Sequence, residues 1–254
     1  MSPRRPARRV PAALLLLVAG CGGGTTGEGS STLTVLAASS LSETFGALED
    51  IYEEERTAVD VRISYDSSAT LAGQAVEGAP ADVLATADEV TMRTATDGGV
   101  TATEPEPFAT NTLVLVVPAG NPAGIETFAD LENDDISYVT CAESAPCGVL
   151  AKTLLDANQI EAAPKSFEVD VKAVLTKVEL DEADAGLVYE TDAVASGERS
   201  ETIEIPKAAE GITSYLIVTL KQSEDPSLAQ EWVDLVLSEK GQRILGEAGF
   251  GSPP

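Results

Sequence analysis

A strand, a loop with paired serines and an amphipathic helix follow one another early in the chain, and this unit constrains the fold more than any other feature. Residues 33–38 are apolar and predict a buried strand, which Ser39 and Ser40 follow. From Leu41 onwards apolar side chains recur at helical spacing, with acidic residues on the opposite face. Because serine is a natural N-cap, the unit predicts a strand that leads directly into a helix.

The same arrangement then occurs again in form. Alternating apolar side chains over 59–65 predict a second strand, two serines lie in the turn after it, and 70–76 predict a short helix. A third strand is predicted over 82–86, with Asp88 as the cap of the next helix. Strands that alternate with helices in this way indicate a parallel α/β sheet.

A second α/β run begins near residue 111. Its predicted strands cover 111–117, 136–139, 185–189 and 214–220, and its predicted helices cover 146–158, the segment from 169, the segment from 225 and 241–250. The whole chain has 254 residues, which is enough for two small domains or one large domain.

The first thirty residues are predicted to lie outside this fold. Four arginines and a short apolar run over 10–19 predict an export signal, because a membrane span needs about twenty apolar residues. The motif at 18–21 resembles the bacterial lipobox, so we expect removal of signal peptide 1–20 and lipidation of Cys21. The alternative is an ordinary secretory signal with a chance cysteine. Residues 21–31 are Gly-rich and predict a flexible tether.

Charge and histidine content exclude several classes of function. The net charge is −26, and it becomes more negative when the arginines of the signal are removed. Nucleic acid is therefore not predicted as a partner, because phosphate binding needs clustered Lys and Arg. The chain has no histidine, which removes Ser–His and Cys–His nucleophilic mechanisms and the commonest zinc ligand. We predict no enzymatic activity, and we interpret the acidic surface as an aid to solubility.

Two cysteines, Cys141 and Cys147, remain after the lipobox. Export places them in an oxidising compartment, where a disulfide is the default expectation. The loop that they would close is small, so the entropic model gives a stabilisation of only roughly 2.4 kcal/mol. A metal-binding or redox pair is the alternative, which the Cys-x5-Cys spacing without histidine disfavours.

Six segments, taken together in their order and spacing, resemble the molybdate-binding proteins of ABC transporters. These segments are VLAASSL at 35–41, SSATL at 67–71, GAPADV at 78–83, PCG at 146–148, VDV at 169–171 and GLVYETDA at 186–193. Each segment alone is a weak signal. The resemblance covers residues 33–250, which is nearly the whole chain after the tether.

The resemblance implies a two-lobed type II periplasmic-binding-protein fold of the α/β class. Each lobe would be a mainly parallel sheet flanked by helices, and two crossing strands would join the lobes. Lobe 1 would comprise residues 32–110 and 216–254, and lobe 2 would comprise residues 111–215. A ligand would bind in the cleft, and the lobes would close on it.

The resemblance also implies five contacts with an oxyanion. Ser40 and Ser68 would each donate a hydroxyl and a backbone N–H. Cys147 and Val171 lie where the family uses backbone N–H groups, although related proteins have a small apolar residue at the position of Cys147. Tyr189 matches a tyrosine whose hydroxyl reaches the anion from lobe 2. No residue would bind a metal directly, no cofactor is expected, and the metal would be held only as its oxyanion.

These residue types suit the chemistry of a dianion. Four of the five residues fall near predicted helix starts, where backbone N–H groups are unpaired and the helix dipole is positive. A fully deprotonated tetrahedral dianion offers only acceptors, so a cleft of donors matches it. An acidic acceptor in the cleft would instead select a protonated oxyanion such as hydrogen phosphate.

The resulting prediction is a lipid-anchored receptor at the outer face of the bacterial cell membrane. It would be a monomer that captures molybdate or tungstate and delivers it to the membrane subunits of an ABC permease. A binder of sulfate or another tetrahedral oxyanion is the nearest alternative. An iron-binding receptor would need clustered tyrosines or histidine, and the chain has five tyrosines and no histidine, which disfavours it. An extracellular serine hydrolase is disfavoured because this chain has no Gly-x-Ser-x-Gly motif and no histidine. A structural surface domain is the third alternative, and it would have no cleft and no stabilisation by a ligand.

Overall fold

The computed structural model describes residues 30–254. The predicted signal peptide 1–20, the lipidation site Cys21 and nearly all of the tether lie outside the described residues. Within residues 30–254, no helix combines the length and the apolar character that crossing a membrane requires.

The described chain alternates strands and helices, as the sequence predicts. The strands are β1 (Ser31–Ala38), β2 (Val59–Asp66), β3 (Val83–Thr86), β4 (Glu106–Pro118), β5 (Tyr138–Cys141), β6 (Ser166–Glu168), β7 (Ala185–Tyr189), β8 (Ser200–Ile203) and β9 (Ile212–Thr219). The α-helices are α1 (Ser42–Glu55), α2 (Ser68–Val76), α3 (Glu89–Asp97), α4 (Pro146–Ala157), α5 (Val171–Glu179), α6 (Glu190–Ser196), α7 (Pro226–Leu237) and α8 (Glu239–Glu247).

Several predicted boundaries shift in the structure. The turn predicted at 66–69 is shorter, because α2 begins at Ser68 after Ser67 takes the N-cap position. The strand predicted from 111 begins earlier, at Glu106, because β4 also pairs with β9. The short elements β6, β8 and α6 carry too little periodicity to be predicted.

Aspartate side chains cap the N-termini of three helices, at Asp88, Asp170 and Asp225. Asp88 accepts a hydrogen bond from the Thr91 amide at 2.8 Å, and Asp225 accepts one from the Leu228 amide at 3.1 Å. Both caps were predicted from the sequence, and both are confirmed. Each cap pairs an amide that the first turn of a helix otherwise leaves without a partner.

The strands form one continuous path in the order β2-β1-β3-β9-β4-β7-β5-β6, with β8 paired to β4. Strand β1 pairs in parallel with β2 and β3, and β5 pairs in parallel with β6 and β7. The crossing strands β4 and β9 run antiparallel to their neighbours. The predicted α/β class is therefore confirmed, and the sheet is mixed because the crossing strands run against the others.

Strand β4 divides the molecule into two halves. Its residues 106–112 pair with β9, and its residues 113–118 pair with β7 and β8. We call the half around β1, β2 and β3 lobe 1, and the half around β5, β6, β7 and β8 lobe 2. The crossing strands β4 and β9 pair with each other between these halves.

Aromatic packing fixes the helices of lobe 1. The Trp232 ring is fully buried and meets the rings of Phe45 and Tyr52 edge-on, with centroids 5.7 Å away in both pairs. These contacts join α7 to α1, the helix that follows the first serine loop. Aromatic pairs in this geometry add roughly 0.5–1.5 kcal/mol each beyond area burial.

Glycines allow two close approaches in lobe 2. A Cβ on Gly186 of β7 would lie 2.8 Å from side-chain carbons of Val174 and Val178, so α5 packs directly on this strand. A Cβ on Gly148, in the first turn of α4, would lie 2.0 Å from the carbonyl oxygen of Ala142. The backbone ahead of α4 therefore packs too tightly for any side chain at this position.

Substitution of Gly148 by alanine should destabilise the protein by about 1–3 kcal/mol, because the new methyl group overlaps rigid backbone. Gly73→Ala in α2 is the matched control, since a Cβ there meets nothing within 4 Å. It should stabilise the protein by up to about 1 kcal/mol through helix propensity. Urea unfolding of both variants measures the difference. Equal stabilities would show that the 142–148 backbone yields to the methyl group.

Candidate oxyanion-binding site

The loops that follow β1 and β2 face the helix starts of lobe 2 across a small cavity. Its empty volume, including its mouth, is about 210 Å³. All five residues that the sequence singles out line this one cavity, and they are Ser40, Ser68, Cys147, Val171 and Tyr189. The chain thus brings together five positions spread over about 150 residues.

The lobe 1 wall is built from the two serine loops. Ser40 lies in a 3-10 turn between β1 and α1, and Ser68 is the first residue of α2. Ser68 Oγ accepts a hydrogen bond from the Ala87 amide at 2.9 Å, and Ser40 Oγ lies 2.8 Å from the Tyr215 hydroxyl. Both serines are buried. The Ser68 oxygen is already an acceptor, so its own O–H is available to the cavity.

The lobe 2 wall is built from helix N-termini. Cys147 is the second residue of α4 and Val171 is the first residue of α5. Asp170 caps α5, but its carboxylate accepts from the Ala173 amide at 3.0 Å rather than from Val171. First-turn amides have no intrahelical acceptor. The amides of Cys147 and Val171 are therefore suited to an anion in the cavity.

A disulfide ties one of these helix starts to the sheet. The sulfur atoms of Cys141 and Cys147 are 2.08 Å apart, and their Cα atoms are 5.7 Å apart. Cys141 ends β5, and Cys147 lies in the first turn of α4. The bond therefore fixes the backbone that presents the Cys147 amide.

Tyr189 ends β7 and closes the cavity from lobe 2. Its side chain is buried, and within residues 30–254 its hydroxyl meets no partner in full hydrogen-bond geometry, although the Tyr215 hydroxyl lies near it. Burial raises the pKa of Tyr189 well above its usual range, and the negative charges of Asp88 and Asp192 add to the rise. The hydroxyl therefore keeps its proton. A buried donor without an acceptor is costly, so this hydroxyl is the clearest sign that a ligand completes the site.

Two carboxylates, Asp66 and Asp170, also line the cavity. The sequence analysis predicts a wall made only of donors, so it missed them. Asp66 accepts from the Ser67 amide at 2.6 Å, and Asp170 accepts from the Ala173 amide. Both residues are half-buried. Their oxygens are thus partly used by the backbone of the loops that they orient. Their position next to the serine and VDV motifs is the sequence signal that could have found them.

Lys172 forms ion pairs with two acidic residues beside the cavity. The Lys172 ammonium, next to Val171, lies 2.7 Å from Glu43 of α1 and 2.8 Å from Asp192 of α6. Each acid lies three residues after a predicted contact, Ser40 in one case and Tyr189 in the other. Among the salt bridges of residues 30–254, the pair Lys172–Glu43 is the one that joins lobe 1 to lobe 2.

Asp192 is the most deeply buried member of this network. Its side chain is 0 % exposed, and its contact with Lys172 is an ion pair without hydrogen-bond geometry. Burial raises the pKa of Asp192 to about 6, and Lys172 opposes the rise. Burial alone would lower the pKa of Lys172, but Asp192 and Glu43 raise it. Lys172 is therefore charged, while Asp192 titrates well above a free aspartate.

Within residues 30–254, no group of three or more His, Cys, Asp and Glu side chains is arranged to hold a metal ion.

Comparison with known proteins identifies close relatives. A sequence model of the family described as bacterial extracellular solute-binding protein matches residues 33–251. The molybdate-binding protein ModA of Mycobacterium tuberculosis is 38 % identical over 226 residues, which cover 89 % of this chain and 87 % of that protein.

Solved structures share the fold at lower identity. The periplasmic molybdate-binding protein of Azotobacter vinelandii superimposes with a TM-score of 0.75 at 19 % identity, covering 87 % of this chain and 100 % of that one. The sulfate-binding protein SubI of Mycobacterium tuberculosis gives the same TM-score at 17 % identity, covering 87 % and 86 %. The predicted binding-protein fold is confirmed, and the fold alone does not choose between the two anions.

The raised pKa of Asp192 predicts a particular pH dependence of stability. The folded state binds this proton up to about pH 6, whereas the ordinary aspartate value is 3.8. The contribution of Asp192 to the free energy of unfolding should therefore fall as pH rises from 3.8 to about 6, by on the order of 3 kcal/mol. Asp192→Asn removes the effect. The stability of the wild type minus that of the variant should decline from pH 4 to pH 6 and level off above pH 7.

Thermal unfolding of both proteins across this range gives the comparison. Asp234→Asn, at an exposed carboxylate of α7, is the control for loss of a surface acid. A difference that rises with pH would mean that Lys172 overcomes burial and holds Asp192 charged.

Proposed function

The chain belongs to the bacterial extracellular solute-binding protein family, and from that premise we propose that it captures molybdate outside the cytoplasm for import by an ABC transporter. The observation that carries the proposal is the cavity that Tyr189, two serines and two helix starts line together. In the described part of the chain, the Tyr189 hydroxyl has no partner in hydrogen-bond geometry. A relative at 38 % identity bears the name molybdate-binding protein, which supports this choice of anion.

We propose that the anion is held by neutral donors from both lobes. From lobe 1, Ser40 and Ser68 donate hydroxyl and backbone hydrogens. From lobe 2, Cys147 and Val171 donate backbone N–H groups, and Tyr189 donates its hydroxyl. Neutral, fixed dipoles suit a dianion that has to be released again, because no opposite charge has to be separated from it.

Tungstate has the same charge and shape, so it belongs to the proposed ligand set. Sulfate is the competing ligand, since it is also a tetrahedral dianion of acceptors. Selection against sulfate would come from the size of the cavity.

We propose that the two lobes close on the anion. Lobe 1 would comprise residues 32–110 and 216–254, and lobe 2 residues 111–215. Both boundaries then fall inside crossing strands, one in β4 and one in β9. Rotation about these strands would separate the serines of lobe 1 from the helix starts of lobe 2.

The N-terminal segment would anchor the protein outside the cell membrane. We propose that Cys21 carries lipid after removal of residues 1–20, and that residues 21–31 tether the protein to the outer face of the cell membrane. The folded part would act as a monomer and present the closed lobes to the membrane subunits of an ABC permease. Metabolic labelling with a fatty-acid analogue, compared with Cys21→Ser, tests the anchor.

Thermal unfolding with and without anions tests the ligand. Molybdate at about 100 times its dissociation constant should stabilise the protein by roughly 2.7 kcal/mol, a rise of several degrees. Tungstate should act in the same way, while sulfate and phosphate at the same concentration should not. Stabilisation by sulfate as well would widen the ligand to tetrahedral dianions in general. No stabilisation by any of the four anions would refute the proposal.

Tyr189→Phe separates binding from stability. Loss of a buried donor to an anion should weaken molybdate binding by roughly 1.5–3 kcal/mol in isothermal titration. The same variant should not destabilise the ligand-free protein, because the hydroxyl that it removes has no partner in hydrogen-bond geometry within residues 30–254.

Tyr138→Phe is the matched control for this variant. The Tyr138 hydroxyl donates to the Ala162 carbonyl oxygen, away from the cavity. This control should lose stability and keep its molybdate affinity, the opposite pattern. Unchanged affinity in Tyr189→Phe would remove Tyr189 from the site.

A further inference from the structure

We propose that Tyr215 is a positioning residue of the anion site, which holds Ser40 so that the serine hydroxyl donates into the cavity. The inference rests on the proposed function. Tyr215 does not line the cavity, and it belongs to none of the sequence segments that resemble molybdate-binding proteins. It acts through its contact with Ser40.

The position of Tyr215 is fixed by sheet and aromatic contacts. The residue lies in crossing strand β9, paired with Ala109 of β4, and its side chain is 0 % exposed. Its ring meets Phe250 edge-on at 5.2 Å and Tyr189 edge-on at 5.9 Å. The hydroxyl therefore has little freedom to move away from Ser40.

The Tyr215 hydroxyl donates the hydrogen bond to Ser40. The Tyr215 hydroxyl and Ser40 Oγ are 2.8 Å apart and buried, and either atom could donate. Burial raises the pKa of Tyr215, so the phenol keeps its proton. Within residues 30–254, Ser40 Oγ is the atom in hydrogen-bond geometry with this hydroxyl, and the Asn111 and Tyr189 side chains near it act as donors towards the Tyr215 oxygen. If Ser40 donated instead, the Tyr215 proton would be buried without an acceptor in that geometry, which is costly.

The second serine of the site supports this direction. Ser68 Oγ accepts from the Ala87 amide at 2.9 Å, and an amide can only donate. Each serine oxygen thus receives one hydrogen bond from the protein and keeps its own hydrogen for the cavity. Tyr215 does for Ser40 what a backbone amide does for Ser68.

This arrangement bears on which anions the site accepts. A serine hydroxyl that is free to rotate can offer either a hydrogen or a lone pair. With Tyr215 as donor, one of the two lone pairs of Ser40 Oγ is occupied and the serine hydrogen points away from Tyr215. Ser40 then offers its hydrogen to the cavity more readily than a lone pair, which favours a fully deprotonated anion over a protonated one. Without the Tyr215 hydroxyl, Ser40 can accept from a ligand O–H, and discrimination against hydrogen phosphate should weaken.

A double-mutant cycle tests the inference with molybdate and phosphate as probes. Tyr215→Phe should weaken molybdate binding by roughly threefold to tenfold, the effect of one net hydrogen bond. Ser40→Ala should weaken it further. The double variant should bind like Ser40→Ala alone, because Tyr215 acts only through that hydroxyl. The ratio of molybdate to phosphate affinity should fall in Tyr215→Phe. General loosening of the core would weaken the binding of both anions and leave this ratio unchanged.

Tyr138→Phe and the ligand-free unfolding curves control for general loss of packing. An equal loss from Tyr215→Phe in the wild-type and Ser40→Ala backgrounds would overturn the inference, because Tyr215 would then act through packing. Unchanged molybdate affinity in Tyr215→Phe would overturn it as well. If the wild-type protein binds no oxyanion, the proposed function fails and the inference fails with it. Binding by the wild type with an additive cycle would overturn the inference alone.

Discussion

Buried hydrogen-bond donors that meet no acceptor within residues 30–254 are the constraint on which the site depends, and the Tyr189 hydroxyl is the clearest of them. Strands β1 and β2 lead to the two serines, β5 and β6 lead to the starts of α4 and α5, and β7 ends at Tyr189. A chain with a net charge of −26 can still hold a dianion, since surface charges are screened over about 8 Å at physiological salt, whereas the donors would touch the ligand.

The polar groups around the cavity act as supports for these donors. Asp66 and Asp170 orient the loops that carry Ser68 and Val171, through hydrogen bonds to neighbouring amides. Lys172 adds charge contacts between the same segments and joins the two lobes. The ion pair is partly exposed on the side of Glu43, so its contribution to stability is small compared with that of the core. Its value lies in fixing the relative position of α1, α5 and α6.

Much of the fold could be predicted from sequence, because local patterns specify it. Apolar periodicity gave the strands, and aspartate caps gave the helix starts, as at Asp88. The five site positions came from a family resemblance, since a serine before a helix is by itself only a cap. Tyr215 escaped prediction because it meets Ser40 across a separation of 175 residues, and no local pattern encodes that contact. The network of Lys172 was missed for the same reason, with Glu43 separated from it by 129 residues.

The shared strands β4 and β9 have a geometric consequence for how occupancy can be detected. If the lobes close on the anion as proposed, these strands would be the hinge, and opening would be a rotation about an axis near the cavity. A separation of the walls by a fraction of an ångström breaks hydrogen bonds to a ligand, while points farther from the axis move in proportion to their distance. Helix ends far from these strands would then move farthest. A pair of spectroscopic labels placed there would read the state of the cavity from the surface.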